Sequence, residues 1–275
     1  MLTDFHAPLA PLFVPGDRPE RFAKAAASGA DAVILDLEDA VGAGNRVVAR
    51  EAVVRHGIES VPVIVRINAT NTADFQADVI ALKDAHFDAL MLAKAETAAD
   101  VRLIHALVGR QVPVIVLVET AAAFEDLASL LREPGVVQGA FGSLDLALDL
   151  ACQPSWEALA YFRSVLVLQS RLAGLPPPLE GVTPSFDDSS LVHQEALRAS
   201  NLGFGGKLAI HPRQVAPITK AFLPDTQTVT WARRVLEAVR NGGAVQVDGA
   251  MVDRPLIERA RRILFRSSPV GDSET

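Results

Sequence analysis

The strongest constraint on this chain is an alternation. Short runs of Val, Ile, Leu and Ala recur along it, each followed by a longer stretch whose apolar residues repeat at helical spacing. Eight runs read as strands: Leu12 to Val14, Ala32 to Leu37, Pro62 to Ile67, Ala89 to Ala93, Val112 to Val118, Val136 to Phe141, Leu179 to Val182 and Gly206 to Ile210. Several, such as Val114-Ile115-Val116-Leu117-Val118, are continuously apolar, the pattern of parallel strands covered on both faces. Helical spacing is clear over Arg18 to Ser28, Thr97 to Val108 and Trp156 to Ala173. This α/β alternation predicts a (β/α)₈ TIM barrel, with an open doubly wound sheet as the alternative.

The 275 residues suffice for one barrel, predicted over residues 1–223, and a C-terminal helical extension over residues 224–275. The extension contains a helix near Thr230 to Arg240, a turn at Gly242-Gly243 and the segment Asp248 to Pro255. It has no place in a barrel core, so it is expected to pack on its own subunit's exterior or on a neighbour's. No repeat of solenoid length occurs, and the polar tail Ser267 to Thr275 is expected to fray.

Composition serves to exclude. A formal net charge of −7 with no basic stripe argues against nucleic acid. Apolar runs such as Pro113 to Val118 are far too short to span a membrane, and Met1-Leu2-Thr3-Asp4 lacks the positive start of a signal peptide, so a cytoplasmic protein is expected. The single Cys152 excludes an internal disulfide and any multi-cysteine metal site.

Barrel chemistry sits at the carboxyl ends of the strands, so the residues there are the candidates. They are Asp36-Leu37-Glu38-Asp39, Arg66-Ile67-Asn68, Lys94-Ala95-Glu96, Glu119-Thr120, Asp145 and His211-Pro212. Carboxylates without a His or Cys cluster suit a hard, oxygen-preferring cation, and Mg²⁺ is commonly held by one or two of them. Glu119 and Asp145, after the adjacent fifth and sixth strands, are the expected ligands, although each is equally placed to cap the following helix. Arg66 offers a planar guanidinium to a small oxo-acid, or a salt bridge to Glu38 or Asp39. Glu38 and Asp39 are candidates to orient metal-bound water, or to cap a helix starting near Asn45. Lys94 and Glu96 are expected to form a rim ion pair. A Schiff-base role for Lys94 is disfavoured because the surrounding acids keep its amine protonated. Gly203-Phe204-Gly205-Gly206-Lys207 resembles a phosphate loop but has Leu208 where Ser or Thr is needed and precedes a strand, so it reads as a tight turn. His211 reads as a structural strand-end residue.

Taken together, the fragments resemble the citrate lyase β-subunit and malyl-CoA lyase family. They run from Leu12-Phe13-Val14-Pro15-Gly16, Pro19-Glu20-Arg21-Phe22, Lys24-Ala25 and Asp36-Leu37-Glu38-Asp39-Ala40-Val41 through Arg66-Ile67-Asn68, Lys94-Ala95-Glu96 and Val118-Glu119-Thr120. They continue through Gly142-Ser143-Leu144-Asp145-Leu146, Gly205-Gly206-Lys207 and Ile210-His211-Pro212-Arg213-Gln214 to Gly249-Ala250-Met251-Val252-Asp253-Arg254-Pro255. The resemblance implies a Mg²⁺-dependent barrel enzyme, often trimeric. Such an enzyme makes or breaks a carbon–carbon bond between an acetyl-type CoA thioester and a small keto acid, as in citryl-CoA, malyl-CoA or citramalyl-CoA cleavage. It implies Glu119 and Asp145 as metal ligands, Arg66 and Glu119 facing the substrate, and Asp253 as the proton-transferring acid on an arm reaching a neighbouring subunit. Family members commonly carry an Arg three residues before the Leu-Phe pair, where it helps hold CoA phosphates. This chain has Leu9 there, leaving Lys24 and Arg18 as the expected phosphate partners. Ala93, Leu144 and Glu180 also replace a usual Pro, Glu and Asp. Two other functions compete: a class II pyruvate-type aldolase that does not use CoA, and a non-catalytic subunit of a lyase complex.

Overall fold

The computed structural model describes residues 5–240, 246–248 and 250–267. The turn expected at Gly242-Gly243 and most of the polar tail lie outside them. Two compact units form, Met1–Thr219 and Lys220–Thr275.

The first unit is an eight-stranded parallel sheet whose strands lie side by side in chain order. They are β1 (Leu12–Pro15), β2 (Val33–Asp36), β3 (Val63–Ile67), β4 (Ala89–Leu92), β5 (Val114–Val118), β6 (Val136–Phe141), β7 (Leu179–Glu180) and β8 (Gly206–Lys207). The ring closes where Phe13 N donates to Ala209 O at 2.8 Å and Ala209 N donates to Pro11 O at 2.9 Å. That closure decides for a barrel over an open sheet. All eight expected strands are present, but the last two strands are two residues long. Gly181 follows β7 directly with its Cα against Phe141 and Ser143, and a Cβ there would lie 2.8 Å from Phe141 O.

The helices are α1 (Phe22–Ala26), α2 (Arg46–Val54), α3 (Ala73–Ala81), α4 (Ala98–Val108), α5 (Leu127–Arg132), α6 (Ser143–Asp149), α7 (Trp156–Leu172), α8 (Ser189–Leu202) and α9 (Pro212–Phe222). Thr97 and Asp100 form a capping box at the start of α4, and Ser155 caps α7 by accepting from Ala158 N. The helix expected over Arg18 to Ser28 is shorter. Pro19 opens a 3₁₀ turn, and Gly29 at φ 87° follows α1 in a conformation that L side chains disfavour. Gly203 closes α8 at φ 112°, so the glycine-rich segment is a helix end leading into β8.

Inward side chains follow the period of two of a strand. Ile34, Ile64, Met91, Ile115, Leu117, Ala140, Leu179 and Leu208 fill the barrel, with Phe13 packed against them. Two residues beyond Ile34, Ile64 and Leu117 come Asp36, Arg66 and Glu119. The same periodicity that builds the apolar core therefore raises these polar groups into its carboxyl-end mouth.

In the second unit, α10 (Thr226–Arg240) and α11 (Arg254–Ser267) bury Ala232, Val235, Val247 and Ala260 between them. A short antiparallel ribbon, β9 (Gln246–Val247) with β10 (Ala250–Met251), precedes α11. Among the described residues no helix is long and apolar enough to cross a membrane.

Candidate active site

Asp36 ends β2, almost fully buried, and receives Arg66 from β3 in a two-pronged pair, with Arg66 Nε and Nη2 donating to its two oxygens, both at 2.6 Å. Arg66 Nη1 lies 2.9 Å from Glu38 Oε2, an ion pair without hydrogen-bond alignment. The guanidinium also sits 4.8 Å from the centre of the Phe13 ring. The expected partners of Arg66 were Glu38 or Asp39; the structure gives Asp36 and Glu38, and Asp39 is exposed. One edge of the guanidinium is thus committed to Asp36, and Nη1 on the other faces Glu38. Burial lowers the pKa of Arg66, but the hydrogen bond and charge of Asp36, with Glu38 and Glu119 beside it, outweigh that and raise it.

Lys94 follows β4 with φ at 48°, the left-handed region. This twist breaks the strand period and turns the side chain into the mouth, where Nζ donates to Glu38 Oε1 at 2.7 Å and lies 3.9 Å from Asp145 Oδ1. Its backbone N–H donates to Glu119 Oε1 at 2.9 Å, so one residue orients three acids. The rim pair expected with Glu96 is not what forms. Glu96 N instead donates to Asp100 at 3.2 Å as the chain enters α4. Burial opposes the charge on Lys94, and Glu38, Glu119 and Asp39 together raise its pKa, which keeps the amine protonated.

Glu119 follows β5 directly, almost wholly buried, and rests against Gly142, where a Cβ would fall 2.3 Å from its Oε2. Only glycine fits there. Asp145 stands in the first turn of α6 and is about one-third exposed. Neither acid caps its following helix, since Glu119 accepts from Lys94 and Gly142 precedes α6 without a side-chain cap. Burial, then the charges of Asp145 and Glu38, push the Glu119 carboxyl up to about 8. Burial likewise raises Glu38, against the pull of Arg66 and Lys94. Glu38 and Asp39 do not cap α2; Asn45 there donates to Asp17 Oδ2 at 2.7 Å.

Among the described residues, Asp36, Glu38, Glu119 and Asp145 therefore pair only with Arg66 and Lys94, an excess of negative charge in a half-enclosed mouth. All the donors are oxygen, which suits a hard divalent cation that keeps part of its own water. Among the described residues no cluster of three or more His, Cys, Asp or Glu is arranged to hold a metal alone.

A model of the HpcH/HpaI aldolase/citrate lyase family matches residues 10–212, the whole span that carries these strand ends. The chain belongs to that family. It is 38% identical over 263 residues to a citrate lyase subunit beta-like protein of Mycobacterium tuberculosis, covering 93% of this chain and 94% of the relative. A (3S)-malyl-CoA thioesterase of Cereibacter sphaeroides is 31% identical over 272 residues, 94% of each chain. The fold also matches the crystal structure of the protein CitE from Mycobacterium tuberculosis in complex with magnesium, acetoacetate and coenzyme A. There the TM-score is 0.86 and the identity 36%, over 97% of this chain and 99% of that one.

Within this family member, a cavity of about 400 Å³ opens beside the mouth, between the ends of β1 and β8 and α1. Phe13, Arg21, Lys24 and His211 are among its lining residues. Of the two expected phosphate partners, Lys24 lines it; Arg18 does not, and lies 3.8 Å from Asp17 instead. Arg21, one turn before Lys24, was not singled out in the sequence, though the helical spacing would have paired them. Leu9 N and Ala10 N donate to the Asp31 carboxylate at 2.5 and 2.9 Å, so position 9 contributes backbone rather than charge. His211 stacks on Phe186 with ring centres 4.8 Å apart. Asp253 lies in the second unit and caps α11, accepting from Leu256 N at 3.0 Å. Asp36 stood among the strand-end candidates and Gly142 within the resemblance, but neither was given a role. Asp36 lies two residues beyond the inward Ile34, and that period was the available signal.

Proposed function

We propose that the chain is a Mg²⁺-dependent carbon–carbon lyase that cleaves a β-hydroxyacyl thioester of the malyl-CoA, citramalyl-CoA or citryl-CoA class. The products are an acetyl-type thioester and a small keto acid. The observation that carries the reading is the mouth itself, where Glu119 and Asp145 come together after neighbouring strands, four carboxylates share two cations, and Arg66 stands beside them. In this reading Glu119 and Asp145 hold the ion. When bound, the metal acts as a Lewis acid on the oxygen of the bond being cleaved. The Nη1–Nη2 edge of Arg66 holds the keto-acid carboxylate, which takes the place of the unaligned Glu38 contact, with Asp36 and Phe13 fixing the plane of the guanidinium. Glu38, itself held by Lys94, and Asp39 orient water beside the ion. Lys24 and Arg21 on the cavity wall offer positive charge to the phosphates of a CoA carrier.

The departing thioester fragment needs a proton, and Asp253 is the proposed donor, carried to a neighbouring subunit of a homo-oligomer by the second unit. Mixing Asp253→Asn with Glu119→Gln protein tests this apart from the rest. Partial recovery of activity after verified subunit exchange supports the shared site; none overturns it. The reading includes a cytoplasmic location, in keeping with a single cysteine. The names of the relatives, a lyase subunit-like protein and a malyl-CoA thioesterase, support a CoA-ester substrate.

Leu9, in place of a cation, favours a second reading, a pyruvate-type aldolase acting without CoA. One assay separates them: purified protein with Mg²⁺ and each CoA ester, following keto acid and free thiol together. Keto acid without free thiol supports the lyase, and free thiol without keto acid means thioester hydrolysis. Turnover of free hydroxy-keto acids alone supports the aldolase, and silence until other subunits are added supports a non-catalytic component.

A further inference from the structure

The lysine that ends β8 has no part in the site described above. Lys207 is buried in the barrel wall, its side chain 3% exposed. Its Nζ donates to Gly181 O at 2.6 Å, and Glu195 Oε2 lies 3.5 Å away, itself accepting from Thr183 Oγ1 at 2.5 Å. The other end of the Gly181 residue is fixed by Glu180, whose Oε1 accepts from Gly181 N at 3.0 Å while Oε2 accepts from Arg163 Nε at 2.9 Å. Both polar groups of Gly181 are therefore tied to buried charged side chains.

What Gly181 touches makes this more than a wall fixture. Its bare Cα faces the turn from β6 into α6, and an added Cβ would lie 2.8 Å from Phe141 O, 2.8 Å from Ser143 Oγ and 3.3 Å from Ser143 N. Inside that turn Gly142 abuts Glu119, and two residues after Ser143 comes Asp145. Displacement of Gly181 would be felt at both carboxylates, since packed interiors have no slack to absorb it.

We propose that Lys207 is a positioning residue for the Glu119–Asp145 pair, acting through Gly181 and the Phe141–Ser143 turn. It rests on the reading of those two acids as the metal site. A buried lysine is an expensive way to hold one carbonyl, and a plain structural role would be served by an apolar residue. Its hydrogen bond sets the height at which the turn sits against β5, and so the spacing of the two acids.

The test is calorimetric titration of the full chain with Mg²⁺, together with thermal unfolding. Glu195→Gln should bind Mg²⁺ within about twofold of wild type, whereas Lys207→Met combined with Glu195→Gln should bind about tenfold more weakly. The double variant removes one charge of each sign, so the wall stays balanced and the melting temperature should stay near that of Glu195→Gln. Gly181→Ala, which leaves Lys207 in place and presses on the turn, should weaken Mg²⁺ to a similar degree. Wild-type affinity in the double variant overturns the proposal, as does an equal loss from Glu195→Gln alone. If the double variant does not fold, Gly181→Ala decides, and wild-type affinity there overturns it. No Mg²⁺ binding to the wild-type protein defeats the metal reading itself and takes this inference with it, a result distinct from the others.

Discussion

The mouth of the barrel and its β7–β8 wall are built from the same materials and balanced in opposite ways. In the wall, Arg163 and Lys207 meet Glu180 and Glu195, cation for carboxylate. Arg163 also lies over the rings of Phe141 and Trp156, at 4.9 and 4.4 Å. In the mouth, Asp36, Glu38, Glu119 and Asp145 meet only Arg66 and Lys94, and Lys94 and Asp145 are each about one-third exposed. Charge matched one for one resists the loss of either partner; charge of one sign in excess is destabilising and persists where a ligand completes it. Opposite mutational responses should follow from that difference.

The largest expected effect is at Glu119. Glu119→Gln should abolish Mg²⁺ binding and lyase activity, yet stabilise the metal-free protein. With the folded pKa at about 8 and the unfolded near its ordinary value, the folded state holds a proton that the unfolded state gives up between them. Wild-type stability in chelator should therefore fall as pH rises through that interval, and Glu119→Gln should lose this fall. Melting temperatures from pH 5 to pH 9 check it. A parallel decline in both proteins would mean that the mouth is not strained by its charge.

Next comes Arg66→Lys. An ammonium cannot grip Asp36 with two prongs and also present a flat edge, so KM for the keto acid in the condensation direction should rise by about one to two orders of magnitude. Steady-state kinetics with unchanged KM would leave Arg66 as a brace for the acids alone.

The wall should respond in the reverse sense. Arg163→Met strands Glu180, almost fully buried, and is expected to cost about 3–5 kcal/mol in urea unfolding. Adding Glu180→Gln should recover much of it. If Arg163→Met is nearly neutral, the matched pairs of the wall are incidental and the contrast with the mouth fails.

Most of the barrel was legible because strand period and helix spacing are local properties. Val114-Ile115-Val116-Leu117-Val118 announces a strand whatever surrounds it. The residues that gather at the mouth were legible too, since Arg66 lies at the end of β3, Glu119 follows β5 and Asp145 stands in the first turn after β6. What escaped was the pairing. Lys94 has Glu96 two positions away and takes Glu38 instead, because its φ of 48° turns the chain inward. No local pattern gives that angle; Glu119, from the next strand, accepts its backbone N–H. The same holds for Gly142, whose missing Cβ matters only because Glu119 occupies the space.

The smallest effect is predicted at the rim just beyond Lys94, where charge is neither matched in a buried wall nor in excess. Thr97 opens α4, its N–H donating to Asp100 Oδ2 at 2.8 Å and its hydroxyl lying 3.1 Å from the same oxygen. Glu96 N donates to that oxygen as well, and Thr70 Oγ1 donates to Oδ1 at 2.8 Å. Thr97→Ala removes one arm of the capping box and leaves Asp100 with its other donors, so it should cost about 1 kcal/mol. Chemistry should be untouched, because the left-handed turn at Lys94 is set from the other side, by Glu119. The expected result is a slightly lowered melting temperature with wild-type kcat and KM. If KM or kcat moves while the melting temperature barely does, the rim is coupled to the mouth through the Lys94-Ala95-Glu96 turn, and the boundary between structural and functional charge lies one turn farther out.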